Sequence, residues 1–257
     1  MIAPTTGSQQ ALAADAGVDL YWLPLGAGGW FVRLNGRVYE AWDAAIHRRS
    51  RCNLYHSALE VRVPSGRYVI EQAPVRDRRG DQRGVVAEGA VGSRWAAHLR
   101  IFRYEIRRWR DGVIPDLGEA VDSPRRLTDD LAVAERLLDL VPSVPTPVWG
   151  RDELHAGDMW NSNSIVAWLI ASAGIDSAGV QLPAMGRAPG WHAGLLVASR
   201  AEQVGESGAG ALHASAHSGP SRVTAISELG VASANRCWSG GPGVAGSSHV
   251  APTVRTS

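Results

Sequence analysis

Alternating apolar and polar residues predict two β-hairpins in the first third of the chain. Asn35-Gly36 provides the turn of the first hairpin, because both positions tolerate a positive φ. Pro64-Ser65-Gly66 provides the turn of the second. The four predicted strands are residues 30–34, 37–41, 56–63 and 67–71.

A further alternating run at residues 101–109 predicts another strand with two different faces. Its apolar face carries Phe102, Tyr104 and Ile106, and its charged face carries Arg103, Glu105 and Arg107. The arginines could also form a nucleic-acid patch. A solvated face is favoured, because Glu105 interrupts them and no aromatic residue lies among them.

The later part of the chain predicts helices. Apolar residues recur at three- and four-residue steps over 131–141, with Thr128 as N-cap and Pro142 as the stop. The prolines of 142–147 then predict an extended connector. Residues 161–173 predict a short buried helix with a polar first turn, followed by Gly174 where a helix commonly ends.

These elements predict an α+β domain in which an antiparallel sheet of hairpins packs against a few helices. Residues 1–18 lack apolar periodicity and form a predicted flexible arm, which leaves 19–200 as one domain. Residues 187–191 are predicted as a loop and 195–197 as a last strand. The Ala-, Gly- and Ser-rich stretch 201–257 is predicted to be a disordered tail.

Charge and composition narrow the classes of partner. The formal net charge is only +1, so no global field favours nucleic acid or an anionic membrane, and partners must be inferred locally. No stretch is long and apolar enough to cross a bilayer, and no signal pattern opens the chain, which predicts a cytoplasmic protein. Two cysteines, Cys52 and Cys237, cannot make a disulfide framework, and a reducing compartment fits.

The candidate chemistry lies at the start of the predicted helix 161–173. Ser162 and Ser164 occupy a first turn, where unpaired N–H groups and the helix dipole stabilise an anion. A serine nucleophile needs a base, and His56 at the start of a strand is the candidate, oriented by Glu71 or Glu60. The simpler interpretation is that these Ser and Asn residues cap the helix.

Three other groups of residues give weaker indications of a site than this pair. His155 and Asp158 could form a metal site with His56, but two-residue gaps in a loop are weak evidence, and no metal or cofactor is expected. Trp160, Trp168 and Trp191 fit core positions better than an acyl pocket. Cys52 lies too far from His56 along an extended strand to act as its nucleophile.

Two motifs together resemble the circularly permuted NlpC/P60-like papain-fold proteins, which include lecithin retinol acyltransferase-like and PPPDE-type groups. One is His56-Ser57-Ala58-Leu59-Glu60-Val61 followed by Tyr68-Val69-Ile70-Glu71, and the other is Asn161-Ser162-Asn163-Ser164-Ile165-Val166. In that superfamily a strand His precedes an Asn-Cys pair at a helix start.

The resemblance implies a hydrolase or acyltransferase acting on an amide or ester bond of a small-molecule, lipid or peptide substrate. His56 resembles the base, Ser162 stands where the family has cysteine, and Asn161 resembles the preceding residue. Glu71 is the preferred third polar residue. A cysteine thiol ionises readily, whereas a serine hydroxyl loses its proton only to a base. A site with serine could therefore be inactive, and the alternative is a papain-like binding or scaffold domain.

Overall fold

The computed structural model describes residues 15–25, 48, 50–75 and 83–210, the last six through their backbone alone. Within these ranges the chain forms one sheet and three α-helices. The strands are β1 (Gly17–Pro24), β2 (Asn53–Val63), β3 (Gly66–Pro74), β4 (Val85–Ala90), β5 (Arg103–Arg110), β6 (Val121–Thr128) and β7 (Gly186–Arg187). The helices are α1 (Leu131–Leu140), α2 (Ser162–Ser172) and α3 (Trp191–Gly210).

The sheet has the strand order β4-β5-β3-β2-β1-β6, and each neighbouring pair is antiparallel. The short β7 pairs in parallel with the beginning of β2. The predicted second hairpin is confirmed, since β2 and β3 pair from Val63 and Gly66 outward. The first predicted hairpin lies outside the described residues, and β1 is a strand that the sequence pattern did not predict. The α+β class with an antiparallel sheet is confirmed.

The main core lies between one face of the sheet and the helices. Tyr55, Leu59 and Val61 of β2 point into it, together with residues of β1, β3 and β5. From Ser162 to Ile170, all nine residues of α2 are buried, so the helix is enclosed on every side and has no solvent face. α2 therefore forms the centre of the core, with α3 packed along it. Trp160 and Trp168 are buried there, which confirms their predicted core role.

The other face of the sheet carries buried carboxylates that are held in ion pairs. Arg107 binds Glu71 at 2.6 Å and Glu105 at 2.5 Å. On the neighbouring strands, Glu60 binds Arg62 and Arg67, and Asp19 binds Arg62 and Arg126. The prediction that Glu105 and Arg107 lie on a solvated face is therefore wrong: both side chains are buried, and Arg107 pairs with Glu71 on the neighbouring strand and with Glu105 on its own.

The helical region differs from its prediction in three places. The N-cap of α1 is Asp130, whose carboxylate accepts from the amides of Ala132 and Val133, and not Thr128. Residues 195–197 lie in α3 and not in a strand, because a short apolar run fits either period. Residues 201–210, predicted as disordered, continue the same helix, and the rest of the predicted tail lies outside the described residues.

The contact between α2 and α3 depends on a glycine. A Cβ added at Gly194 would lie 2.1 Å from the backbone oxygen of Ser164 and 2.9 Å from the Cβ of Ala167. Real Cβ atoms do not approach backbone oxygens this closely, so any side chain at position 194 must push the two helices apart. Gly194 therefore sets the separation of α2 and α3.

We expect Gly194→Ala to lower the free energy of unfolding by about 1–3 kcal/mol, because the added methyl group overpacks the interface. In a helix, alanine is normally more stable than glycine by about 1 kcal/mol, so helix propensity alone would stabilise the variant. A loss of stability therefore indicates overpacking. Urea denaturation measures it, with Gly118→Ala as the control, since a Cβ at Gly118 meets nothing within 4 Å. A stabilised Gly194→Ala protein would contradict the packing described here.

Candidate functional site

The first turn of α2 is held by a reciprocal cap. Asn161 has extended backbone, and its Oδ1 accepts from the amides of Asn163 at 2.9 Å and Ser164 at 3.3 Å. The Ser164 hydroxyl in turn accepts from the Asn161 amide at 3.1 Å. This is a capping box, in which two side chains satisfy backbone donors that the helix leaves open. The capping interpretation of Asn161 and Ser164 is confirmed.

Asn163 joins the helix to the central strand and to the loop before α3. Its Nδ2 donates to the carbonyl oxygens of Tyr55 at 3.0 Å and Pro189 at 2.9 Å, and its Oδ1 accepts from the Ser57 hydroxyl at 2.9 Å. Three partners occupy a side chain that is 2% exposed. Sequence reasoning assigned no role to Asn163, although an Asn in a wholly buried helix turn must find partners.

The loop before α3 closes the same network. The carbonyl of Pro189 also accepts from Asn161 Nδ2 at 2.9 Å, and the Ser164 hydroxyl contacts the carbonyls of Gly190 at 2.8 Å and Met159 at 3.1 Å. Gly190 has φ +83°, and a Cβ there would lie 2.6 Å from both Asn161 Oδ1 and Ser164 Oγ. Glycine is required at this position.

Asp158 binds the segments that precede α2 and α3. Its carboxylate accepts from the amide of Gly190 at 2.7 Å and of Met159 at 2.8 Å. Burial raises the pKa of Asp158, while these two amides and the charges of Arg187 and His192 act in the opposite direction. The carboxylate thus serves as a hydrogen-bond acceptor beside the start of α3.

Ser162, the predicted nucleophile, is the first residue of α2. The residue is 9% exposed, and its hydroxyl forms no hydrogen bond with any residue in the described part of the chain. Its position beside the open amides of a helix start suits an anion. Ser162 is therefore the one polar side chain of this turn that the network does not use.

His56, the predicted base, lies on the other side of the sheet. Successive side chains of a strand point to opposite faces, and the register of β2 against β1 is regular from Tyr55 to Arg62. Ser57 points to α2, where it binds Asn163. His56 therefore points to the second face, beside Leu23, its partner in register. The structure does not bring His56 and Ser162 together.

The surroundings of His56 differ from those of an activated base. Burial lowers the pKa of His56 to about 4, and the charge of Asp116 opposes the shift. The imidazole is thus neutral at pH 7 and binds a proton weakly, whereas a general base works best with a pKa near the operating pH. Asp116 precedes a short 3-10 turn at Leu117–Glu119, and no sequence signal connected it to His56.

The two glutamates predicted to orient His56 serve the ion pairs instead. Glu71 binds Arg107, and Glu60 binds Arg62 and Arg67. The carboxylate whose charge acts on His56 is that of Asp116. A signal for the placement of His56 was present in the sequence: it shares its parity along β2 with Glu60 and Arg62, and not with the apolar Leu59, Val61 and Val63.

The other residues considered as a thiol, a metal site or an acyl pocket do not form a site in the described part of the chain. Cys52 is in a disulfide bond, which differs from the expectation that the cysteines fit a reducing compartment, and it therefore offers no thiol near His56. His155 is exposed in the loop before α2. Among the described residues, no three His, Cys, Asp or Glu side chains gather as metal ligands, and no helix is long and apolar enough to span a membrane. Trp191 is half-buried and packs on Trp22, with ring centroids 5.1 Å apart.

Two cavities of about 510 Å³ each lie away from the α2 start. Both are lined by Arg94, Val148 and Glu153, and the second also by the connector residues Pro145, Thr146 and Pro147. No predicted site residue lines either one.

Comparison with known proteins adds no assignment: no family model, no curated protein and no solved structure matches the chain. Its function must therefore be inferred from the geometry alone.

The lowered pKa of His56 predicts a pH-dependent stability. Because the pKa of His56 is about 4 in the folded chain and about 6.5 when unfolded, its contribution is complete above pH 6.5 and is lost as the pH falls toward 4. The loss amounts to at most about 3 kcal/mol. His56→Gln removes this proton linkage, so its free energy of unfolding should fall less than that of the wild type between pH 7 and pH 4.

Denaturant unfolding at a series of pH values measures this difference, and the same change at exposed His98 is the control. Parallel pH profiles for the wild type and His56→Gln would show that His56 is accessible to protons in the folded chain.

Removing the Asn163 side chain should destabilise the fold. Asn163→Ala leaves the Ser57 hydroxyl and the carbonyls of Tyr55 and Pro189 without this partner in the core, which we expect to cost about 3 kcal/mol. Asn53→Ala, at an exposed position of β2, is the matched control and should change stability by less than about 0.5 kcal/mol. Equal effects in urea denaturation would refute the structural role of Asn163.

Proposed function

We propose that this domain binds a partner and does not catalyse a reaction at Ser162. The observation that carries the proposal is the orientation of β2, which directs Ser57 toward α2 and His56 to the opposite face of the sheet. The polar residues at the start of α2 then have a structural role, in which they connect the helix to β2 and to the loop before α3.

The chemistry of serine explains why this orientation matters. A serine hydroxyl attacks a carbonyl only when a base within hydrogen-bond reach takes its proton. The imidazole predicted for that task is separated from Ser162 by the sheet, is half-buried, and has its pKa lowered to about 4. Both the position and the proton affinity of His56 argue against the pairing.

The other members of the predicted site support the same proposal. Asn161, Asn163 and Ser164 use their side chains to satisfy backbone groups of α2 and of the loop at Pro189 and Gly190. A catalytic group that stabilises a developing charge must have a donor available to the substrate. These side chains are occupied in the folded state.

The resemblance to permuted papain-fold proteins remains a prediction, as does the amide or ester hydrolase or acyltransferase activity that it implies. If the resemblance holds, the domain is an inactive relative of those enzymes. It has their sheet and helices, with the serine oxygen of Ser162 in place of the cysteine sulfur.

Covalent labelling tests the proposal directly. We expect a fluorophosphonate probe to leave Ser162 unmodified in the full-length protein, because no base in the described part of the chain hydrogen-bonds to its hydroxyl. Mass spectrometry of the peptide that contains Ser162 gives the readout, and a serine hydrolase in the same reaction shows that the probe is active.

Modification of Ser162 that is abolished by heat denaturation would contradict the proposal, whichever base was responsible. Ser162→Ala serves as the unlabelled reference. We expect it to change the free energy of unfolding by less than about 0.5 kcal/mol, since the hydroxyl forms no hydrogen bond with the described residues.

A further inference from the structure

The beginning of β2 carries a covalent cross-link. Cys52, the residue before this strand, is 7% exposed and is in a disulfide bond. The sequence has one further cysteine, Cys237, which lies outside the described residues. Within one chain, Cys237 is therefore the residue that can complete the bond, which connects the start of the sheet to a distant position in the sequence.

Cys52 belongs to the place where β7 joins β2, residues 52–54 and 185–187, which we call the β2–β7 junction. The amide of Asn53 donates to the carbonyl of Met185 at 2.9 Å, and the two residues of β7 pair in parallel with the first two residues of β2. Because β7 is so short, only a few backbone hydrogen bonds hold this segment on the sheet. The junction is therefore sensitive to the position of each residue that forms it.

One residue of the β2–β7 junction has a strained backbone. Met185 has φ +55°, in the left-handed region that residues other than glycine rarely adopt, and its side chain is half-exposed. Such a conformation persists only where neighbouring contacts hold it. The hydrogen bond from Asn53 to the Met185 carbonyl is one of these contacts, and the disulfide restrains Cys52, the residue next to Asn53.

The same segment positions the loop that closes the buried start of α2. Pro189 follows β7 closely, and its carbonyl accepts from Asn161 and Asn163. The next carbonyl, that of Gly190, accepts from the Ser164 hydroxyl. A displacement of β7 would therefore move hydrogen-bond acceptors on which the enclosed first turn of α2 depends.

We propose that a disulfide between Cys52 and Cys237 is a redox-sensitive cross-link that holds the β2–β7 junction in place. A dithiol breaks it: the sulfur–sulfur bond takes up two electrons and two protons and becomes two thiols, while the dithiol loses them and becomes a disulfide. Reduction removes the restraint on Cys52, so the strained junction opens to water more often. The cross-link goes beyond the proposed binding function and does not depend on it.

Peptide mapping of the full-length protein, purified without reductant and alkylated at its free thiols, tests the pairing. Trypsin cleaves directly before each cysteine, so the linked species consists of peptides 52–62 and 237–255. We expect mass spectrometry to find this species, and dithiothreitol to separate it into its two peptides. Alkylation of both cysteines before reduction, or a disulfide that joins two copies of the chain, would overturn the proposal.

Amide hydrogen exchange of the same protein tests the effect on the junction. We expect reduction to speed exchange in residues 185–190 by about threefold or more, because the junction opens more often, while the β2–β3 hairpin at residues 59–70 exchanges at an unchanged rate. The matched control is Cys237→Ser, which lacks the cross-link and keeps the native residue at position 52. It should exchange at the fast rate with or without dithiothreitol, and thermal unfolding verifies that it remains folded.

Three results would overturn the role of the cross-link: equal exchange of residues 185–190 before and after reduction, a response of Cys237→Ser to dithiothreitol, or equal acceleration over the whole domain. The last result would show that the disulfide stabilises the entire fold and not the junction. None of these measurements depends on the labelling of Ser162, so failure of the redox proposal is distinguishable from failure of the proposed binding function.

Discussion

The carbonyl oxygen of Pro189 accepts hydrogen bonds from two side-chain amides, those of Asn161 and Asn163. This junction belongs to a network that must satisfy the polar groups at the buried start of α2. A helix leaves its first amide groups without internal partners, and water satisfies them when the helix lies at a surface. α2 is enclosed from its first residue, so its partners must come from the protein. The polar residues of its first turn, the strand at Tyr55 and the loop at Gly190 are all arranged around that need.

The sheet then separates two chemically different interiors. Toward α2 the core residues of the sheet are mostly apolar, and on the opposite face carboxylates and guanidiniums pair across β1, β2, β3 and β5. Removing a charge from water is costly, and a buried carboxylate is tolerated only with close partners. Several of the pairs join residues of neighbouring strands, so they favour one register of the sheet over its alternatives.

The parts of the fold that the sequence predicted are those in which local pattern and final packing agree. The β2–β3 hairpin follows from alternation around Pro64-Ser65-Gly66, and α2 follows from an apolar run after an Asn cap. The ion pairs did not follow, because Glu71 and Arg107 lie 36 positions apart and a charged strand face has the same pattern whether it is solvated or paired.

The predicted site failed to assemble for a reason of the same kind. The alternation of side chains along a strand places His56 and Ser57 on opposite faces of the sheet, but it does not determine which face packs against α2. That choice depends on the tertiary packing of a helix that follows about one hundred residues later, although the polar parity of Glu60 and Arg62 already favoured the second face. Residues 195–197 were ambiguous because a short apolar run fits the period of either a helix or a strand.

The pairing of Arg107 also restricts how the sequence can change over evolutionary time. Its Nε and Nη2 contact one oxygen of Glu105 while Nη1 contacts Glu71, so the planar guanidinium spans two carboxylates at once. An ammonium group is compact and cannot reproduce this geometry. Lysine, which often replaces arginine at surface positions, therefore cannot replace Arg107 without loss of these contacts. Homologues should have another residue at position 107 only if both glutamates also differ.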